Sequence, residues 1–184
     1  MRRLAQGFDL KVRWVAFPLH PETPEQGQSL EELFAGRGYD IPAILARLAR
    51  AAAEEGLPFG PRSMTYNSRR AQELAKWAEA RGRDEAFSEA VFRAYFAEGR
   101  NIALMPVLRD LAAGVGLDPD QAERALAEGA FAPAVDQDWA LARASGITAV
   151  PTFAAGGRLV VGAQPYPVLE QLARSAGAAP RPPA

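Results

Sequence analysis

The chain has 184 residues, 48% of them hydrophobic, with 21 basic and 22 acidic side chains and a formal charge of -1. That is enough for one real core, and the near-balanced charge gives no field that would draw nucleic acid or an anionic membrane. With no cysteine and a single histidine, His20, the chain excludes an internal disulfide, a thiolate nucleophile and any cysteine-rich or multi-histidine metal site, and no cofactor is expected.

Met1-Arg2-Arg3-Leu4 opens in the manner of a signal peptide, but Gln6, Asp9, Lys11 and Arg13 interrupt any apolar run. No later segment is long enough to span a bilayer, so the expectation is a soluble, cytoplasmic protein. From Leu10 to Phe17, Val12, Trp14, Val15 and Phe17 form a short β-branched and aromatic run closed by Pro18, which predicts a strand.

The pattern then turns helical from Ser29 to about Ser145. Ser29-Leu30-Glu31-Glu32 has the spacing of a capping box, and a second helix follows with Pro42 in its first turn and Ile44, Leu45 and Leu48 on one face. Gly56 to Thr65 reads as a loop. Asn67 is placed to cap a helix carrying Ala71, Leu74, Ala75 and Ala78, stopped by Gly82. Phe87, Val91, Phe92, Tyr95 and Phe96 recur at helical spacing up to Gly99, a stripe expected to be core.

Pro106 opens a helix with Leu108, Leu111, Ala112 and Val115. Asp118-Pro119-Asp120-Gln121 joins an N-cap, a first-turn proline and a reciprocating Gln. A further helix from about Pro133 to Ser145 turns Val135, Trp139 and Ala142 inward. Thr152 to Ala155 and Arg158 to Gly162 flank Gly156-Gly157 as a hairpin, Pro167 to Ala176 closes as a helix, and Ala178 to Ala184 has the composition of a disordered tail.

Other polar groups have bland readings. His20 stands in a loop without a carboxylate or thiol beside it, Glu54-Glu55 and Asp84-Glu85 point about 100° apart on helices, and Gly36-Arg37-Gly38 and Gly156-Gly157 lack the context of a phosphate loop.

Strand, long helical block, hairpin and helix, in that order, with Val150-Pro151 just before the hairpin, resemble the DsbA family of thiol–disulfide oxidoreductases in its FrnE-like branch. The residues that carry the resemblance are Gly146-Ile147-Thr148-Ala149-Val150-Pro151-Thr152-Phe153 and Gly162-Ala163-Gln164-Pro165. Arg13-Trp14, Phe17-Pro18-Leu19-His20-Pro21, Asn67-Ser68, the run from Phe92 to Gly99 and Gly116-Leu117-Asp118 agree with them upstream.

The resemblance implies an α/β, thioredoxin-like fold: an incomplete core at residues 1–28 and 146–177, an inserted helical domain at 29–145 and a tail at 178–184. It implies a cis-proline loop at Val150-Pro151, with Ala149, Val150, Pro151 and Gln164 on the substrate side, and a thiol- or disulfide-bearing protein or peptide, or glutathione, as partner. It implies no catalytic residue within these positions, because the redox Cys-x-x-Cys of the family, its first strand and the front of its first helix have no counterpart; Met1 to Gln6 resembles that helix's last turns. The expectation is therefore a natural product that begins upstream of Met1, or a homodimer whose partner fills the gap.

Three functions follow: disulfide exchange dependent on an upstream Cys-x-x-Cys, a glutathione-dependent isomerase or transferase of the kappa and hydroxychromene-carboxylate isomerase type, and a non-catalytic peptide-binding module. The second type tends to carry Asp-Arg where this chain has Gln164-Pro165, which ranks it lower.

Overall fold

The computed structural model describes residues 1–181. They form two compact units, residues 20–137 and residues 1–19 with 138–181.

Residues 20–137 are mostly helical. Strand β1 (Gln28–Ser29) runs into α2 (Leu30–Leu33), and the capping box is in place: the Glu32 N–H donates to Ser29 Oγ and the Ser29 N–H to Glu32 Oε2. Helix α3 (Ile41–Glu54) follows, N-capped by Asp40. The expected loop at 56–65 ends in strand β2 (Met64–Thr65), which pairs antiparallel with β1. A ladder of two residues per strand is too short to leave an alternating pattern in sequence.

Helices α4 (Arg69–Glu79), α5 (Asp84–Phe96), α6 (Met105–Gly114) and α7 (Pro119–Ala127) enclose the main core. Leu74, Trp77, Phe87 and Leu108 are fully buried there. Asn67 does hold the start of α4, its Oδ1 accepting the Arg69 N–H while its Nδ2 donates to the carbonyls of Pro21 and Thr23. The aromatic stripe of α5 needs one correction: Phe87 is buried, but Phe92 is 48% exposed. It lies about 100° round the helix from Val91, its neighbour in sequence, and turns off the inner face.

Asp118 caps α7 by accepting the N–H groups of Gln121 and Asp120, and these bonds hold its carboxyl below the usual value of 3.8. A depressed carboxyl contributes stability that is present above its unfolded value and lost as pH falls through its folded one. Acid titration followed by NMR should show the first turn of α7 fraying below pH about 4. In Asp118→Asn, which keeps an acceptor, that acid step should vanish.

The other unit starts with α1 (Arg2–Gly7), which packs on α9 (Tyr166–Ser175) through Leu4, Phe8 and Ala173. Strands β3 (Thr152–Ala155) and β4 (Arg158–Val161) form the hairpin, Thr152 opposite Val161 and Ala155 opposite Arg158, and α9 packs against both. Helix α8 (Ala132–Ala144) begins in the helical unit and supplies this one from Asp138 onward.

The strand predicted for Leu10 to Phe17 is absent. That stretch has no ladder partner among the described residues, and Val12, Trp14 and Val15 stand 38–44% exposed. A β-prone sequence becomes a strand only when a neighbour takes its backbone groups, and propensity alone does not provide one. The segment is instead tied to α8: Asp138, 1% exposed, accepts the Ala16 N–H at 2.8 Å and Arg13 Nη2 at 3.1 Å.

Of the tail expected to be disordered, Ala178 to Arg181 is held by backbone bonds: Asp9 N–H to Ala179 and Arg181 N–H to Gly7, with a bridge between Phe8 and Pro180. The rest of that expectation, residues 182–184, lies outside the described residues. Among the described residues no helix is long and apolar enough to cross a membrane.

Candidate functional site

The residues singled out in the sequence as substrate-facing lie in two turns at one end of the β3–β4 hairpin. The first, 149–152, leads into β3, and the Val150–Pro151 peptide bond is cis. Thr152 Oγ1 donates to the Ala149 carbonyl at 2.6 Å and so closes the turn on itself. The second turn leaves β4. Gly162 donates its N–H to the Pro151 carbonyl at 2.7 Å and has φ +87°, a left-handed conformation that a side chain would strain.

Gln164 completes the arrangement by donating from Nε2 to the Val161 carbonyl at 2.7 Å. Its amide is thus engaged in holding the exit of β4, the backbone-satisfying role common for polar residues ahead of a proline.

These bonds account for the carbonyls of Ala149, Pro151 and Val161, and they leave Val150 between them. Val150 is 44% exposed, and neither its N–H nor its C=O has a hydrogen-bond partner among the described residues. One residue offering both backbone groups outward can take an extended chain as a short piece of antiparallel ladder. The structure brings Ala149, Val150, Pro151 and Gln164 together, with Thr152 and Gly162 as the residues that fix them.

The described residues contain no group of three His, Asp or Glu side chains that could hold a metal, and the sequence has no sulfur nucleophile. His20 belongs to the helical unit, where it meets Phe34 edge-on. Burial first, and then Arg37, push its pKa below 6.5, so it is mainly neutral at physiological pH.

Asp138 is the residue that sequence reasoning missed. Its signal was present: Val135, Asp138, Trp139 and Ala142 follow the three-and-four spacing of one face, so a carboxylate stood on a stripe expected to be apolar. A buried carboxylate at such a position must find donors, and Ala16 and Arg13 are among them.

A hairpin covered by a C-terminal helix, preceded by a proline loop with an open backbone edge and coupled in sequence to a helical insert, defines a thioredoxin-like scaffold. The comparisons carry this to a family. The model of the DSBA-like thioredoxin domain matches residues 1–174. A probable DsbA oxidoreductase from Streptomyces coelicolor has a solved structure that is 32% identical, with a TM-score of 0.81, covering 92% of this chain and 76% of that one. The chain belongs to the DsbA-like thioredoxin-domain family.

The cytosolic disulfide reductase DsbM from Pseudomonas aeruginosa is 28% identical, with a TM-score of 0.52, over 74% of this chain and 69% of its own. A Nitrosomonas europaea structure shares the fold at 16% identity and TM-score 0.64, over 83% of this chain and 77% of that one. No curated protein matches.

Proposed function

We propose that this chain is a FrnE-like member of the DsbA family whose 184 residues provide the substrate-binding side of thiol–disulfide exchange and leave the sulfur to another group. The observation that carries the reading is the exposed, unpaired backbone of Val150, set between turns whose other carbonyls are already satisfied. The substrate is an extended peptide bearing a thiol or a disulfide. Its backbone pairs with Val150, and Ala149 and Pro151 flank the contact.

Exchange requires a thiolate as attacking and leaving group, and its pKa must be lowered by a helix N-terminus or a neighbouring cation. None of these residues supplies that thiolate. By itself the chain is a binder, and it should not reduce insulin.

The reading is tested by NMR titration of the labelled chain with an unstructured peptide carrying a mixed disulfide with glutathione, and separately with glutathione alone. Peptide-induced shifts should centre on Ala149, Val150 and Gly162. Val150→Pro, which deletes the N–H, should weaken binding by up to about tenfold, the worth of one backbone hydrogen bond. Shifts that avoid residues 149–164, or equal binding by Val150→Pro, would overturn it. Glutathione perturbing the same residues as strongly as the peptide would move the reading to the glutathione-dependent type.

A further inference from the structure

Arg62, just ahead of β2, is a cation held in place with nothing negative against it. Its guanidinium lies over two rings of α5, 4.4 Å from the centre of Tyr95 and 4.9 Å from that of Phe96, and Nη2 donates to the Tyr95 hydroxyl at 2.7 Å. That hydroxyl is in turn 3.0 Å from Oγ1 of Thr65, a buried residue of β2. Elsewhere in the helical unit Arg69, Arg70, Arg100 and Arg109 each face a carboxylate, whereas Arg62 has no ion pair with any described residue. We propose that Arg62 and the rings around it bind a peptide segment of a partner protein through an Asp or Glu carboxylate, with an apolar side chain of the same segment laid on Phe92.

The donors left on Arg62 select the carboxylate. A guanidinium presents its five N–H groups as two edges of paired donors, and Nη2 gives one hydrogen to each edge. The bond to Tyr95 therefore occupies one edge and leaves the other whole. Two parallel N–H groups match the two oxygens of a carboxylate. A single cation also balances one negative charge, which suits a carboxylate better than a phosphate group of nearly two. Stacking and the Tyr95 bond fix the guanidinium before any ligand arrives, so little side-chain freedom is lost on binding.

Phe96 joins this cation to an exposed aromatic surface. Its ring stacks with Phe59 at 6.4 Å and lies 6.2 Å from Phe92, which is 48% exposed. The arrangement depends on Gly60, whose N–H donates to the Phe96 carbonyl at 2.9 Å and where a side chain would collide with the Ala97 carbonyl. A partly exposed ion pair alone is worth little in water, so a free acid gains little here and the ligand must also cover the ring. Arg62 and Phe92 both neighbour Phe96, and about three extended residues, at about 3.3 Å each, bridge them. The site lies in the helical unit and needs neither the Val150 edge nor a sulfur.

The test is an NMR titration of the labelled chain with terminally blocked peptides, each carrying one Glu and one Leu one to three residues apart in a Gly-Ser background. At least one should shift the Arg62 Nε–H and the amides of Phe92 and Phe96. Replacing its Glu by Gln should weaken binding by about fivefold, the upper worth of a partly exposed pair, and replacing its Leu by Gly should weaken it too. Arg62→Gln and Phe92→Ala should reproduce these two losses from the protein side. If Arg62→Gln loses structure by circular dichroism, the Glu and Gln peptides on the unaltered chain decide. No shift at Arg62 and Phe92 with any peptide, equal binding of the Glu and Gln peptides, or equal shifts with acetate alone would overturn the proposal. So would tighter binding of a phosphoserine analogue, or shifts confined to residues 149–164.

Discussion

Trp77→Ala should destabilise the helical unit by about 3–5 kcal/mol, the range for removing a large aromatic from a packed core. Trp77 is 1% exposed and shares its core with Leu74, Phe87 and Leu108, each fully buried. Helices α4, α5, α6 and α7 each contribute to that core, so little of the void can close by moving one of them. Arg81 stacks its guanidinium 4.3 Å from the indole and loses its seat as well. Urea denaturation should show a lower midpoint with an unchanged slope. A loss below about 1 kcal/mol would mean that the core is looser than its burial indicates.

The second large effect is expected at Asp138. Asp138→Ala leaves the Ala16 N–H without its acceptor and empties a buried position, which should cost about 1–3 kcal/mol. Hydrogen exchange should rise selectively across residues 10–17, which have no ladder to fall back on. Arg13→Ala should cost much less, because the Arg13 side chain is 62% exposed and its ion pair with Asp138 is screened by water. The comparison separates the two bonds. If Arg13→Ala is as costly as Asp138→Ala, the ion pair and not the backbone bond holds the segment.

How far the fold was legible depended on whether a signal was local. Helix starts were, because a cap and its reciprocating residue lie within one turn: Ser29 with Glu32, and Asp118 with Asp120 and Gln121, sit where their spacing placed them. Core faces were legible for the same reason, and the residues predicted inward at Leu74, Phe87, Leu108 and Val135 are fully buried.

The failures share the opposite cause. Leu10 to Phe17 has strand-forming residues, but a strand is a relation between two segments, and no described residue forms a β ladder with this one. The β1–β2 ladder joins Gln28 to Thr65 across a span that no short-range pattern can encode. Phe92 shows that a dense aromatic run fixes only the existence of a face, since two adjacent residues cannot both lie at its centre.

For the candidate site, the family resemblance located the Val150-Pro151 turn and Gln164. Which backbone groups remain open could come only from the hydrogen bonds around them. Thr152 and Gly162 belong to the runs that carry the resemblance and to the hairpin, but the bonds by which they close the two turns have no local signal in sequence. Asp138 is legible in sequence only as a carboxylate standing on the otherwise apolar stripe of Val135, Trp139 and Ala142.

The β3–β4 hairpin also bears on how this protein behaves at high concentration. Its strands pair only with each other among the described residues, Leu159 and Val161 are about half exposed, and Arg158 is the only charge on either strand. Short apolar strands with open edges are templates for growth by addition of further chains. Pro151 stands just ahead of β3 and has no N–H to offer an incoming strand. Whatever ladder an extended peptide builds there must stop at that residue. Pro151 therefore removes one donor from the start of the edge that β3 could offer to another copy of the chain.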